Sequence, residues 1–152
     1  MTTFEKLDAI ADTYSPLLLL ILLFYVVSAA YKKNWLELEL LLFSSVLGLG
    51  VVYGLMFLDK AVIIWERIGL DYSTHTAFAV CLVFVLAKIT RRFTKSLIAS
   101  LVLYVLLMLY QKYHTLADVV TTALVISVLL SFILFLRRHS VNRLRGLEGS
   151  PG

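Results

Sequence analysis

Residues 117–136 read ADVVTTALVISVLLSFILFL, twenty residues in which Asp118 is the sole charge. A helix of that length rises about 30 Å, the thickness of a bilayer hydrocarbon core. Arg137 and Arg138 follow it, as the positively charged flank of a membrane span would. Working outward from this segment, four more apolar runs occupy 16–31, 36–58, 74–89 and 97–110. The runs at 16–31, 74–89 and 97–110 are short and require flanking residues or a locally thinned bilayer. The expected fold is therefore all-α, a polytopic transmembrane helical bundle of about five spans. Composition agrees: the chain is 61% hydrophobic and 16% charged, with mean hydropathy +0.91, against roughly 45–50% apolar and about 25% charged in soluble domains. Such a chain cannot cover its own surface in water. Disorder requires low hydrophobicity, and the lone Cys81 provides neither a disulfide framework nor a thiolate metal site. No metal or cofactor is expected, so any chemistry falls to a few polar residues among apolar helices.

At the N-terminus, Phe4, Leu7, Ile10, Ala11 and Tyr14 recur at helical spacing with Glu5, Lys6, Asp8 and Asp12 between them. That pattern describes an amphipathic helix over 1–14 lying at the membrane interface. The transmembrane bundle then covers 15–137 and a basic tail 138–152, ending in the linker-like Leu147-Glu-Gly-Ser-Pro-Gly152. A signal peptide fits poorly, because the start is acidic and Tyr31-Lys32-Lys33 follows the first apolar run instead of a small-residue cleavage site. If the loops alternate between faces, ten of the fourteen basic residues fall on one side. Lys6, Lys60, Arg67 and Lys112 remain on the other. The positive-inside rule makes the ten-residue side cytoplasmic and turns the N-terminus, 59–73 and 111–115 outward. The net charge of +4 is thus a topology signal, with the bilayer as partner and no nucleic acid implied. Trp35 and Trp65 are expected near the two interfaces. Gly48, Gly50 and Gly54 permit close helix contact, within a monomer or between copies, and Cys81 reads as a packing or lipid-facing residue.

The outward side collects Asp59, Lys60, Glu66 and Arg67, then Asp71, Ser73, Thr74, His75 and Thr76, then Gln111, Lys112, His114, Thr115 and Asp118. Ionisable residues at or within spans are costly and point to function. Lys60 and Arg67 are seven apart, two turns of a helix and about 10 Å along its axis, so both can face one phosphate; equally, both can snorkel to head groups. Ser73 and His75 stand where an apolar span begins, and helix-start amides with a hydroxyl form an anion site; Asp71 or Ser73 can as well be a plain N-cap. His114 and Asp118 are four apart, so on one helical face the carboxylate can fix the imidazole tautomer. Thr115-Leu-Ala-Asp118 also fits a capping box. Together, two histidines, a carboxylate and two cations suit phosphoryl transfer through a covalent intermediate without metal. One histidine attacks phosphorus, the second protonates the leaving oxygen, and the cations hold the remaining oxygens.

These residues resemble the type-2 phosphatidic acid phosphatase superfamily, which includes integral-membrane lipid phosphatases and is related in fold to sphingomyelin synthases. Its motifs run K-x6-R-P, P-S-G-H and S-R-x5-H-x3-D. Lys60 to Arg67 is similar to the first, Tyr72-Ser73-Thr74-His75-Thr76 to the second, and His114 to Asp118 to the third. The resemblance spans roughly 36–136. No proline follows Arg67, Thr74 replaces the motif glycine, and Leu107 and Met108 stand where serine and arginine are expected. Lys112 is a candidate substitute for that arginine, without its bidentate geometry.

The resemblance implies that His114 is the nucleophile, that Asp118 orients it and that His75 is the general acid. It also implies that Lys60, Arg67, Ser73 and Thr74, with Lys112, bind phosphate. The function so implied is hydrolysis of a lipid phosphomonoester or diphosphate at the non-cytoplasmic face. The arginine-less third motif keeps open a head-group phosphotransferase of sphingomyelin-synthase type, and the departures keep open a non-catalytic membrane protein on the same fold.

Overall fold

The computed structural model describes residues 3–148, and side chains over 5–137. It is helical, with no strand among the described residues. Five helices follow in order: α1 Thr3–Tyr31, α2 Trp35–Val62, α3 Thr74–Ile89, α4 Thr94–Tyr110 and α5 Leu116–Glu148. Four helical stretches are long and apolar enough to cross a membrane: Glu5–Tyr31, Trp35–Val62, Arg91–Tyr110 and Leu116–Arg137.

The remaining helix, α3, has 16 residues, about 24 Å of rise. It packs against each of the other four. Its sequence is apolar on every side, the pattern of a helix buried all round. Ala77, Ala79, Val80, Cys81, Leu82, Val83, Val85 and Leu86 are all buried, and three of them, Ala77, Ala79 and Cys81, are small enough to let neighbours approach. One core cluster joins α3 to α1 and α2 through Leu18, Leu22 and Leu41. A second joins it to α2 and α5 through Val52, Ile126 and Leu130, and a third to α1 and α4 through Ala11, Tyr104 and Met108. Leu20, Phe24, Val46, Leu103 and Val128 face outward, the apolar exterior expected where lipid is the solvent.

Gly48 of α2 lies directly against Cys81 of α3, and a Cβ there would overlap Cys81 Sγ, whereas Gly50 and Gly54 face open space. Cys81 is therefore a packing residue, 2% exposed. Gly48→Ala is expected to lower the thermal unfolding midpoint in detergent, because overpacking costs about 1–3 kcal/mol and outweighs the gain in helix propensity. Gly50→Ala is expected to be neutral or slightly stabilising. Adding Cys81→Ala to Gly48→Ala should restore the midpoint; a Gly48→Ala protein as stable as wild type would refute the contact.

Two expectations about boundaries change. Residues 3–14 of the expected interfacial helix over 1–14 do not form a separate helix, since α1 runs unbroken from Thr3 through Pro16 to Tyr31. Proline removes one donor and crowds the preceding turn, but contacts with α4 hold α1 just ahead of it. Tyr14 stacks on Tyr104 with ring centroids 4.3 Å apart, and its hydroxyl pairs with Ser100 Oγ at 3.0 Å. Likewise no break separates a tail at 138, because α5 continues to Glu148; the side chains of that basic segment, and residues 149–152, lie outside the described residues.

Candidate functional site

Helix α2 ends where Asp59 captures the chain that follows it. Ile63 takes a left-handed conformation at φ 58° and donates its amide to the Asp59 carbonyl, while the Trp65 amide donates to Asp59 Oδ1 at 2.8 Å. This turn drives Trp65 inward, where it is 5% exposed and meets Tyr72 edge-on, ring centroids 5.1 Å apart. The Tyr72 hydroxyl donates to the Val52 carbonyl at 2.9 Å. Burial, with the Asp59 carboxylate nearby, raises the Tyr72 phenol well above its ordinary range, so it remains a donor. Trp65 is accordingly a core residue at this end of the bundle. Arg67 falls in a separate 3-10 turn, Glu66–Ile68. Lys60 and Arg67 therefore do not share one helix, and the two-turn spacing expected of them does not hold.

Ser73 caps α3. Its hydroxyl accepts from the Thr76 amide at 3.3 Å and donates to Thr76 Oγ1 at 2.9 Å. Its own amide donates to Thr122 Oγ1 of α5 at 3.2 Å. With no exposed surface, Ser73 is a structural cap and is not open to a ligand. Asp118 is similarly engaged. Its Oδ2 accepts from the Thr115 amide and hydroxyl at 2.8 and 2.7 Å, and the Asp118 amide returns to Thr115 Oγ1 at 3.2 Å. This is the reciprocal capping box. The other oxygen, Oδ1, accepts from the Asp71 amide at 2.8 Å, so one carboxylate caps α5 and anchors the entry to α3.

His114 precedes α5 and is not on its face. The carboxylate facing its imidazole is Asp71, with Oδ2 3.4 Å from Nδ1. That is an ion-pair distance without hydrogen-bond geometry, and His114 Nδ1 has no hydrogen-bond partner among the described residues. Asp71 is 73% exposed, so solvent screens its charge; His114 is only 13% exposed. The α4–α5 turn that carries His114 is tied to α1. Asp8 Oδ1 accepts from Gln111 Nε2 and from the Tyr113 hydroxyl, both at 2.6 Å. The bond to Asp8 raises the Tyr113 phenol above its ordinary range.

His75 and His114 line one cavity of about 180 Å³, walled also by Ala11, Asp12, Tyr104, Met108 and Tyr113. It joins α1, α3, α4 and the α4–α5 turn at a single end of the bundle. Lys60, Arg67 and Lys112 are exposed and do not line it; Thr74 is half-buried as the first residue of α3. The charged group in the wall is Asp12. Thus the two histidines converge, Asp118 is engaged by the Asp71 and Thr115 amides while still within electrostatic reach of His114, and the cations remain outside the wall. Asp71 as the partner of His114, Asp12 in the wall and Asp8 beneath the turn were not legible as site residues. Their signal was only that they are acidic groups at the same end. Among the described residues no group of three or more His, Cys, Asp or Glu side chains is arranged to hold a metal ion.

The chain matches no protein-family model, no curated protein and no solved structure.

Proposed function

We propose that the protein is a membrane lipid phosphatase that hydrolyses a lipid phosphomonoester or diphosphate through a phosphohistidine on His114. The observation that carries this reading is the convergence of His75 and His114 on one small cavity, although 39 positions separate them in the chain. In this reading α3 is the fifth span, the N-terminus and the histidine end face away from the cytoplasm, and the C-terminus is cytoplasmic. Asp71 holds the Nδ1 side of His114, so that Nε2 presents its lone pair to phosphorus. The new N–P bond forms as the bond from phosphorus to the lipid oxygen breaks, and His75 delivers a proton to that oxygen. Water then attacks phosphorus, releasing inorganic phosphate and regenerating the imidazole. In this reading the exposed Lys60, Arg67 and Lys112 would have to reach the phosphate oxygens from outside the cavity wall, with Thr74 contributing at the start of α3. Asp118 is a positioning residue, acting through the Asp71 backbone.

The test is phosphate release by purified protein from phosphatidic acid, phosphatidylglycerol phosphate and polyprenyl diphosphate, without added metal. Turnover of at least one substrate, inhibited by vanadate and absent in His114→Ala, is the expected result. Asp12 in the cavity wall, with no lysine or arginine beside it, favours a second reading, a non-catalytic membrane protein; failure of all three substrates selects it. Within the first reading, Asp71→Asn should lower turnover about threefold to fivefold with little change in KM, since the charge it removes faces the imidazole but is screened by solvent. An unchanged rate would return the orienting role to Asp118.

A further inference from the structure

A second cavity opens at the opposite end of the bundle, between the start of α2, the end of α3 and the later part of α5. Its volume is about 610 Å³, within the range of ligand sites. The walls are of two kinds. Leu36, Leu40, Val85 and Leu134 provide apolar surface, and Lys88, Arg91 and Arg137 provide three cations. Two of the cations are held over aromatic rings: Arg137 lies 4.0 Å from the Phe43 centroid and Lys88 4.9 Å from that of Phe84. Such stacking fixes long side chains that otherwise spend entropy when they bind.

The guanidinium of Arg137 is incompletely satisfied. Nη2 donates to Glu39 Oε1 at 2.7 Å, but Nη1 is buried and has no hydrogen-bond partner among the described residues. A buried donor on a charged group without an acceptor is costly; the part of Arg137 that a ligand in the groove can meet is the quarter of its side chain that remains exposed. Leu36 and Leu40 are exposed on the outer surface, so the apolar wall is continuous with the lipid-facing exterior. A ligand that matches both halves carries an anionic head on a hydrocarbon chain. Basic cavities between transmembrane helices bind anionic lipid head groups on this logic.

We propose that this groove is a binding site for an anionic phospholipid, its phosphate held by Arg137, Lys88 and Arg91 and one acyl chain laid along Leu40, Val85 and Leu134. The site lies at the end away from the histidines, and its existence does not depend on the phosphatase reading.

The experiment is native mass spectrometry of delipidated full-length protein in detergent, titrated with phosphatidylglycerol, phosphatidylcholine or inorganic phosphate. Retention of one phosphatidylglycerol per chain, in preference to phosphatidylcholine and without retention of phosphate, is expected. Lys88→Gln/Arg91→Gln should weaken it about fivefold per cation removed. Arg92→Gln/Lys95→Gln, which removes two exposed cations of the same end that do not line the groove, should leave retention unchanged. Equal retention of both lipids, equal loss in both double variants, retention of phosphate alone, or closure of the groove by a second copy of the chain would each overturn the proposal. Because Lys88 and Arg91 are exposed, their replacement tests the site without relying on the Arg137–Glu39 pair.

Discussion

On the proposed phosphohistidine route, His114→Ala is expected to reduce phosphate release by at least about 10⁴-fold, because removing a covalent nucleophile would abolish the route and not merely slow it. The expectation is specific to this side chain. His75→Ala removes only a proton donor, which contributes about 10²- to 10⁴-fold, and its deficit should shrink on an aryl phosphate whose leaving group needs no proton. His114→Ala should be equally inactive on both kinds of substrate. Acid-quenched wild-type protein should carry phosphate on His114 during turnover, and the variant none. If His114→Ala released phosphate at the wild-type rate, the two histidines would share a cavity for a reason other than this chemistry. At about 180 Å³ the cavity is small, so it suits a head group more than a chain.

The largest stability effect is expected at Asp118. Its carboxylate accepts from the Asp71 amide, the Thr115 amide and the Thr115 hydroxyl and is 5% exposed. Asp118→Ala orphans two backbone amides at about 1–3 kcal/mol each. We expect a loss of about 2–4 kcal/mol and a thermal midpoint in detergent lower by roughly 5–15 °C. Asp118→Asn keeps a carbonyl acceptor and should fall between the variant and wild type. Thr115→Ala breaks only the hydroxyl half of the capping box and should cost about 1 kcal/mol. Turnover measured well below each midpoint separates folding from function. At such temperatures the proposed mechanism expects Asp118→Asn to retain more activity than Asp71→Asn, because in that reading Asp118 acts mainly by anchoring the Asp71 backbone. An Asp118→Ala protein as stable as wild type would mean that these hydrogen bonds are replaced by water at little cost.

The helices were legible because their signal is local and additive. The runs at 36–58, 74–89 and 117–136 each lie within an observed helix, to within a few residues at the ends, except that α5 extends beyond 137. Hydropathy summed over a window identifies a stretch that avoids water whatever it packs against. The same windows did not distinguish α3, buried on all sides at the centre of the bundle, from a helix at the periphery, since a core neighbour and a lipid tail are equally apolar. Nor did they show that α1 runs through Pro16. That continuity rests on Tyr14 meeting Tyr104 and Ser100, contacts some ninety residues apart in the chain.

For the site, sequence alone determined which residues are available. Polar groups are few in an apolar chain, and alternation of the helices brings His75, His114, Asp71 and Asp118 to one end. Only the tertiary structure decided their partners. Spacing of four matched His114 to Asp118, and the two remain within electrostatic reach, but α5 begins after His114 and the capping box takes hydrogen bonds of the carboxylate. Spacing of seven placed Lys60 with Arg67, but Asp59 turns the chain between them and Trp65 fills the core beneath. The physical reason is the same in each case. Hydropathy depends on a residue and its immediate neighbours, whereas a short-range hydrogen bond depends on which helix ends meet, and that is settled by packing throughout the bundle.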